Sequence, residues 1–295
     1  MSIDLSGRVA VVTGAGGGLG RSHALALARY GARVVVNDMS GPGAEAVAAE
    51  IRQRGGEAVA APCSVTDRAA VEAMIASAVQ EWGSVDIVVN NAGILRDRTF
   101  AKMDLDDFAA VIDVHLMGSV NVTKAAWPHM RDRGYGRIVF TTSSSGLYGN
   151  FGQSNYSAAK MALVGLMQTL ALEGERNGIR VNCLAPSAAT QMTEGLYSEE
   201  ALRGLSTDLV SPGVVALVAE NAPTRVVLLA GSGAFEQAHI TMTRGVYVGA
   251  AADAADQLQA SWPRVSDRSG EAVPASGAAQ YQHEIGHPDR ASQAA

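Results

Sequence analysis

Residues 8–20 read RVAVVTGAGGGLG: an unbroken apolar run halts at Thr13 and is followed by five glycines in seven residues. Helical spacing of apolar residues then begins at Leu19 and continues to Tyr30. A continuous Val-rich run, unlike an alternating one, suits a strand covered on both faces. Glycines at its end allow a tight turn and the close approach of a ligand to the backbone. The unit strand, glycine turn, helix therefore opens the chain.

The same alternation repeats outward from this unit. Apolar runs fall at 33–37 (RVVVN), 57–61, 85–89 (VDIVV), 137–141 (RIVFT), 179–184 (IRVNCL) and 226–230. Helical stretches lie between them at 43–54, 67–82, 105–130 and 155–175, with Asp67 placed to cap the second of these. Strand and helix in turn imply an α/β fold: a single doubly wound, Rossmann-type parallel sheet of about seven strands with helices on both faces. No linker interrupts the pattern in residues 1–233, which read as one domain. Residues 234–295 differ, being rich in Pro, Gly, Ser and Ala, with one strand expected at 240–248 and a short helix at 253–261. This extension is expected to pack on the domain or on a neighbouring subunit.

Composition narrows the function. Hydrophobic residues make up 47% of the 295 and charged residues 18%, enough to bury a core and too apolar for general disorder. A formal charge of −6 gives no net attraction for nucleic acid or an anionic membrane. The opening MSIDLSGR lacks the pattern of a secretory signal, and no apolar run approaches the ~20 residues of a membrane span. Cys63 and Cys183 sit in apolar stretches, against a disulfide framework or a cysteine zinc site. The six histidines lack ligand spacing, so no metal is expected, and the expected compartment is the cytoplasm.

The glycine cluster spaces as TGxxxGxG, with Gly14, Gly18 and Gly20, and not as the dinucleotide fingerprint GxGxxG. The start of the following helix offers free N–H groups to a pyrophosphate. Residues 15–22 approach the phosphate loop GxxxxGK[ST], but Ala15 replaces its first glycine and Arg21 its lysine, against a nucleotide hydrolase. Asp38 follows the second strand; a carboxylate there accepts from ribose hydroxyls and repels a 2′-phosphate. Gly17 supplies no cation for such a phosphate, so the cofactor expected is NAD over NADP.

A second constellation lies later. The strand at 137–141 ends in Thr142-Ser143-Ser144-Ser145-Gly146, on the edge where open parallel sheets bind ligands. Tyr156 and Lys160 follow, four residues apart and so on one helix face. Lysine is scarce here, with only Lys102, Lys124 and Lys160. A phenol titrates near about 10, and a neighbouring ammonium favours its ionised form. Tyr156 can then exchange a proton with an alcohol or ketone oxygen while hydride moves to or from a nicotinamide. Position alone leaves Ser143, Ser144 and Ser145 open as the hydroxyl partner.

Taken together, TGAGGGLG at 13–20, NNAG at 90–93, YSAAK at 156–160 and RVNCLAP at 180–186 resemble the short-chain dehydrogenase/reductase family over about residues 5–233. The resemblance implies catalysis by Ser143, Tyr156 and Lys160. It also implies a cofactor held by Gly14, Gly18, Leu19, Gly20, Asp38, Ser64, Val65, Asn91, Ala92, Gly93, Tyr156, Lys160 and Thr190. Longer strings such as DVHLMGSVNVTKAAWPHM and SGLYGNFGQSNYSAAK look like the (3R)-hydroxyacyl-CoA dehydrogenase domain of peroxisomal multifunctional β-oxidation enzymes and its bacterial relatives, some of which act on steroids. His115 stands where the family commonly has Asn, as a proton relay or as a histidine satisfied by backbone. Ser64 replaces an aspartate near the adenine, which shifts that contact to the Val65 backbone. Residues 190–209 match the family's variable substrate segment, where Met192, Leu196, Tyr197, Leu202 and Leu205 are candidate wall residues; Leu147, Tyr148 and Phe151 are others. The implied substrate is a lipid-like or acyl-CoA alcohol, and the implied assembly a homodimer or homotetramer built on the helices at 114–130 and 157–172. The readings to be separated are a hydroxyacyl-CoA or hydroxysteroid dehydrogenase, a dehydrogenase of another apolar secondary alcohol, and a dinucleotide sensor without turnover. A related epimerase or dehydratase is disfavoured by the glycine spacing.

Overall fold

The computed structural model describes residues 2–188 and 204–288. The chain divides into two compact units, Met1–Ala238 and His239–Ala295. In the first, strands β1 (Val9–Val12), β2 (Arg33–Asp38), β3 (Ala58–Pro62), β4 (Ile87–Asn90), β5 (Gly136–Thr141), β6 (Ile179–Ser187), β7 (Val227–Gly231) and β8 (Ala234–Ala238) form one sheet. Its order is β3-β2-β1-β4-β5-β6-β7-β8. Every pairing is parallel except β7 with β8.

Helices α1 (Gly18–Arg29), α2 (Gly41–Gln53), α3 (Arg68–Trp82), α4 (Leu105–Ile112), α5 (Gly118–Arg133), α6 (Ser144–Tyr148), α7 (Ser154–Gly174) and α8 (Ser211–Val218) cover the sheet. Alternate strand residues feed two apolar layers. Ala10, Val12, Val34 and Val36 pack with α1, α2 and α8, whereas Val9, Val11, Ile138 and Val181 pack with α3, α5 and α7. Both faces are thus covered, which is why the strands read as continuous apolar runs. Asp67 caps α3 by accepting from the Ala70 N–H, as the sequence predicts.

The structure departs from the sequence reading in two places. The sheet has an eighth strand, formed by Ala234–Ala238 directly after β7, and not a strand at 240–248. Ser232 (φ 51°) and Gly233 (φ 78°) both take left-handed backbone, so the two strands join through a two-residue hairpin turn of the kind that matches strand twist. Residues 240–248 hold only an isolated bridge, Met242 with Ala272. The expected single helix at 105–130 is interrupted: Asp113–Met117 wind as a π-helical turn between α4 and α5. Such bulges insert an extra residue and re-aim side chains.

The second unit contains α9 (Ala254–Ala260), α10 (Trp262–Val265) and α11 (Ala278–Ile285), and none of its described residues is buried. Among the described residues, no helix is long and apolar enough to cross a membrane.

Candidate active site

Helices leave the sheet on opposite faces after β1 and after β4, so a crevice opens above the ends of these neighbouring strands. A cleft of about 250 Å³ there is lined by Gly14, Gly18, Leu19, Gly20, Asp38, Asn91, Ala92, Gly93, Tyr156 and Lys160, together with His115, Thr141 and Pro186. Residues from seven separate stretches of sequence meet in this space.

Sterics explain its first wall. Gly14 has φ 61°, and a Cβ there would lie 2.8 Å from Ala92 Cα. A Cβ on Gly20 would collide with the Gly14 carbonyl and the Asn91 amide. Thr13, whose signal lay in the quoted motif, ties the two loops together: its Oγ1 accepts from the N–H groups of Asn91 (2.9 Å) and Ala92 (3.0 Å). The glycine loop runs into α1, whose N-cap Gly17 supplies no side-chain cap and whose first turn has no acidic residue. Uncapped N–H groups at a helix start suit a pyrophosphate. Asp38 closes the far end, its Oδ2 accepting from Gly16 N–H at 3.0 Å. A close-approach glycine loop, free helix-start donors and a carboxylate at the second strand end form a donor set that fits a dinucleotide.

The opposite wall comes from β5, α6 and α7. Ser143 is extended (φ −162°) and caps α6 by accepting from the Ser145 N–H. Its hydroxyl lies beside the Tyr156 phenol, where it favours the ionised form. Ser144 is exposed, and the Ser145 hydroxyl accepts from Asn150, so the structure singles out Ser143 among the three. Lys160 is buried, donates from Nζ to the Thr141 carbonyl, and places Nζ 5.4 Å from the Tyr156 ring centroid. Gly146 makes this approach possible, since a Cβ there would lie 2.8 Å from the Lys160 Cβ.

Electrostatics differ from the simple picture of an ammonium beside a phenol. Burial raises the Tyr156 phenol above its ordinary value, with Asp97 adding to the rise and Ser143 opposing it. Burial also lowers Lys160 to about 7. Desolvation penalises the charged form of both groups and is the largest cause of each shift.

His115 sits in the π-helical turn, buried, with its ring edge-on to Tyr156 at 5.2 Å between centroids. Its Nε2 lies 3.0 Å from the Ile94 nitrogen and 2.8 Å from the Ile94 oxygen, whereas Nδ1 is buried without a partner. Burial, helped by the Lys160 charge, lowers it to about 3, so the imidazole is neutral. Of the two sequence readings, backbone satisfaction describes the Nε2 side. Gly93, read in the sequence only as a cofactor contact, also makes room for this ring: a Cβ there would lie 2.2 Å from His115 Cε1. The expected result for Gly93→Ala is a loss of about 1–3 kcal/mol through overpacking. Adding His115→Ala should recover most of it, which thermal melts of both singles and the double can check.

Other sequence-predicted positions fall elsewhere. Ser64 and Val65 are absent from the cleft lining: the Ser64 hydroxyl meets Thr66 Oγ1 at 2.8 Å, and the Val65 side chain packs against Gly118. Leu147 packs on the core, whereas Tyr148 and Phe151 are exposed. Thr190, Met192, Leu196, Tyr197 and Leu202 lie outside the described residues. The loop beside the site is latched to the start of α7, with Arg98 N–H donating to the Gly152 carbonyl (2.9 Å) and Asn155 to the Arg96 carbonyl (2.9 Å).

The chain is similar to known proteins along most of its length. The family model for short chain dehydrogenase matches residues 8–201. A short-chain type dehydrogenase/reductase of Mycobacterium tuberculosis is 46% identical over 273 residues, 89% of this chain and 95% of its own. The mouse peroxisomal multifunctional enzyme type 2 is 47% identical over 224 residues; the match takes in 73% of this chain and 30% of the mouse protein. Among solved structures, a 7α-hydroxysteroid dehydrogenase complexed with NADH and 7-oxo glycochenodeoxycholic acid superposes with a TM-score of 0.73 at 29% identity, covering 80% of this chain and 96% of that one. The chain belongs to the short-chain dehydrogenase/reductase family and is an oxidoreductase acting on CH–OH groups.

Proposed function

We propose that this protein is an NAD-dependent dehydrogenase that interconverts a secondary alcohol and its ketone, on a 3-hydroxyacyl-CoA or a steroid-derived substrate. The observation that carries the reading is the meeting of Tyr156 and Lys160, with Ser143 beside the phenol, in the same cleft as Asp38 and the glycine loop. Tyr156 is the general acid and base at the substrate oxygen, and Ser143 donates a hydrogen bond to that oxygen. Gly14, Gly18, Leu19 and Gly20 hold the pyrophosphate, Asp38 the adenosine ribose, and Asn91 to Gly93 the inner wall. NAD supplies the hydride acceptor when bound. Lys160 sets the charge beneath the phenol and holds the nicotinamide ribose.

The proposed substrate class is supported by exposed apolar side chains on the latched segments: Phe100, Tyr148 and Phe151 are all more than half exposed. Relatives named for multifunctional peroxisomal activity and for hydroxysteroid oxidation point the same way. A homodimer or homotetramer is part of the proposal, supported by exposed Met117 beside α5 and by Met161 and Leu172 on α7.

The test is NADH absorbance at neutral pH with NAD and panels of 3-hydroxyacyl-CoA thioesters and hydroxysteroids. Turnover with at least one panel is the expected outcome. Tight NADH binding with no turnover across both panels would instead indicate a dinucleotide sensor.

A further inference from the structure

The adenosine end of the cleft contains a carboxylate whose position is set by its backbone neighbours. Asp38 Oδ2 accepts from Gly16 N–H at 3.0 Å, and Oδ1 accepts from Ser40 N–H at 2.9 Å. A second backbone bond, Ala15 N–H to the Asn37 carbonyl at 2.8 Å, knits the same two loops together. Gly16 is not in left-handed backbone, so its turn does not require glycine for its dihedrals. What requires it is space. A Cβ on Gly16 would lie 2.9 Å from both Cγ and Oδ2 of Asp38 and 3.1 Å from its Cβ. Any larger residue at 16 therefore pushes the carboxylate off the amide that holds it. The carboxylate can swing aside by rotation, whereas Asp38 Cβ, fixed to the backbone, need give only by a few tenths of an ångström.

From this we infer that Gly16 is a specificity-positioning residue for the cofactor: it holds the Asp38 carboxylate in place so that it binds a free ribose diol and rejects a 2′-phosphate. This rests on the proposed reading of Asp38 as the ribose contact. An ionised carboxylate that accepts from two backbone N–H groups makes two charge-assisted bonds. It cannot turn aside to admit a phosphate without losing both. A free carboxylate could rotate away and leave much weaker discrimination. Gly16 thus acts through Asp38 and not by touching the cofactor with a side chain of its own.

The test measures dissociation constants for NADH and NADPH by fluorescence titration in the wild type, Gly16→Ala, Asp38→Ala and a pair at residue 40. The wild type should favour NADH. Gly16→Ala should weaken NADH and cut the NADH-over-NADPH ratio by about tenfold, the equivalent of losing one charge-assisted bond. Its melting temperature should stay close to that of the wild type, since the main displacement is of the carboxylate and the shift at Asp38 Cβ is a few tenths of an ångström. Ser40→Pro removes the second N–H at a residue whose φ of −79° a proline can adopt, and Ser40→Ala removes only the hydroxyl that caps α2. Ser40→Pro should also lower the ratio, whereas Ser40→Ala should keep it. If Asp38→Ala abolishes the preference while Gly16→Ala and Ser40→Pro both retain it, the positioning role is overturned and the ribose reading stands. If the wild type favours NADPH, or Asp38→Ala leaves the ratio unchanged, the ribose reading fails and this inference with it.

Discussion

Tyr156→Phe should lower turnover by roughly 10²- to 10⁴-fold while leaving NADH affinity within about twofold, the range expected on removing a general acid and base. The substitution keeps the ring and deletes only the hydroxyl. The edge-on contact with His115 at 5.2 Å survives, so the π-helical turn keeps its neighbour. The group lost is the one that lies beside the Ser143 hydroxyl. Burial raises the phenol in the protein, so at neutral pH it holds its proton and is ready to donate to a ketone oxygen. In the oxidising direction the same elevation is a barrier, and positive charge brought beside the phenol favours ionisation. Steady-state rates in both directions, with NADH titration as the binding control, check the assignment. A fall of less than about tenfold would remove Tyr156 from the proton-transfer step.

Lys160→Met should produce two effects that separate chemistry from stability. Turnover should fall by about 10²-fold or more, with weaker cofactor binding, because the substitution removes the charge beneath the phenol. Stability should move the other way. Burial lowers Lys160 from 10.5 to about 7 in the folded protein. Between these values the unfolded chain binds one more proton than the folded one, so the stability of the native lysine protein rises with pH across that window. The destabilisation is present in full below pH 7 and is relieved as pH climbs toward 10.5. Methionine fills a similar volume without a charge to desolvate. The variant should therefore show the higher urea midpoint near neutral pH, and its advantage should shrink as pH rises. An advantage that does not depend on pH would contradict the depressed ammonium.

Much of the site is legible in the sequence. Tyr156 and Lys160 stand four apart on one helix, and a helix of that length carries them to one side whatever surrounds it. Gly14, Gly18 and Gly20 follow a strand, and the turn they make is a local matter. Ser143 was not separable from its neighbours, because hydroxyls in adjacent positions differ only in where the chain turns. The extended backbone at Ser143 and the capture of Ser145 by Asn150 decide the choice. His115 lay within a stretch that reads as unbroken helix. Nothing local signals the π-helical turn, which exists where Gly93 and the Ile94 backbone make room for the ring.

The sheet divides in the same way. Its seven parallel strands are written in the chain as largely apolar runs, since burial on both faces leaves few polar positions to blur the pattern. The hairpin to β8 was missed although Ser232-Gly233 is a two-residue loop, because a strand with only one covered neighbour and exposed side chains lacks that apolar signature. By itself, then, the sequence determined the α/β alternation, the glycine turn after the first strand and the tyrosine–lysine pair, all set by contacts within a few residues. Only the tertiary structure decided which serine meets the phenol, how deeply the lysine is desolvated, what Gly93 and Gly16 leave space for, and where Asp38 is held. Those are properties of groups brought together from distant parts of the chain, and burial and steric exclusion act only once the chain has closed around them.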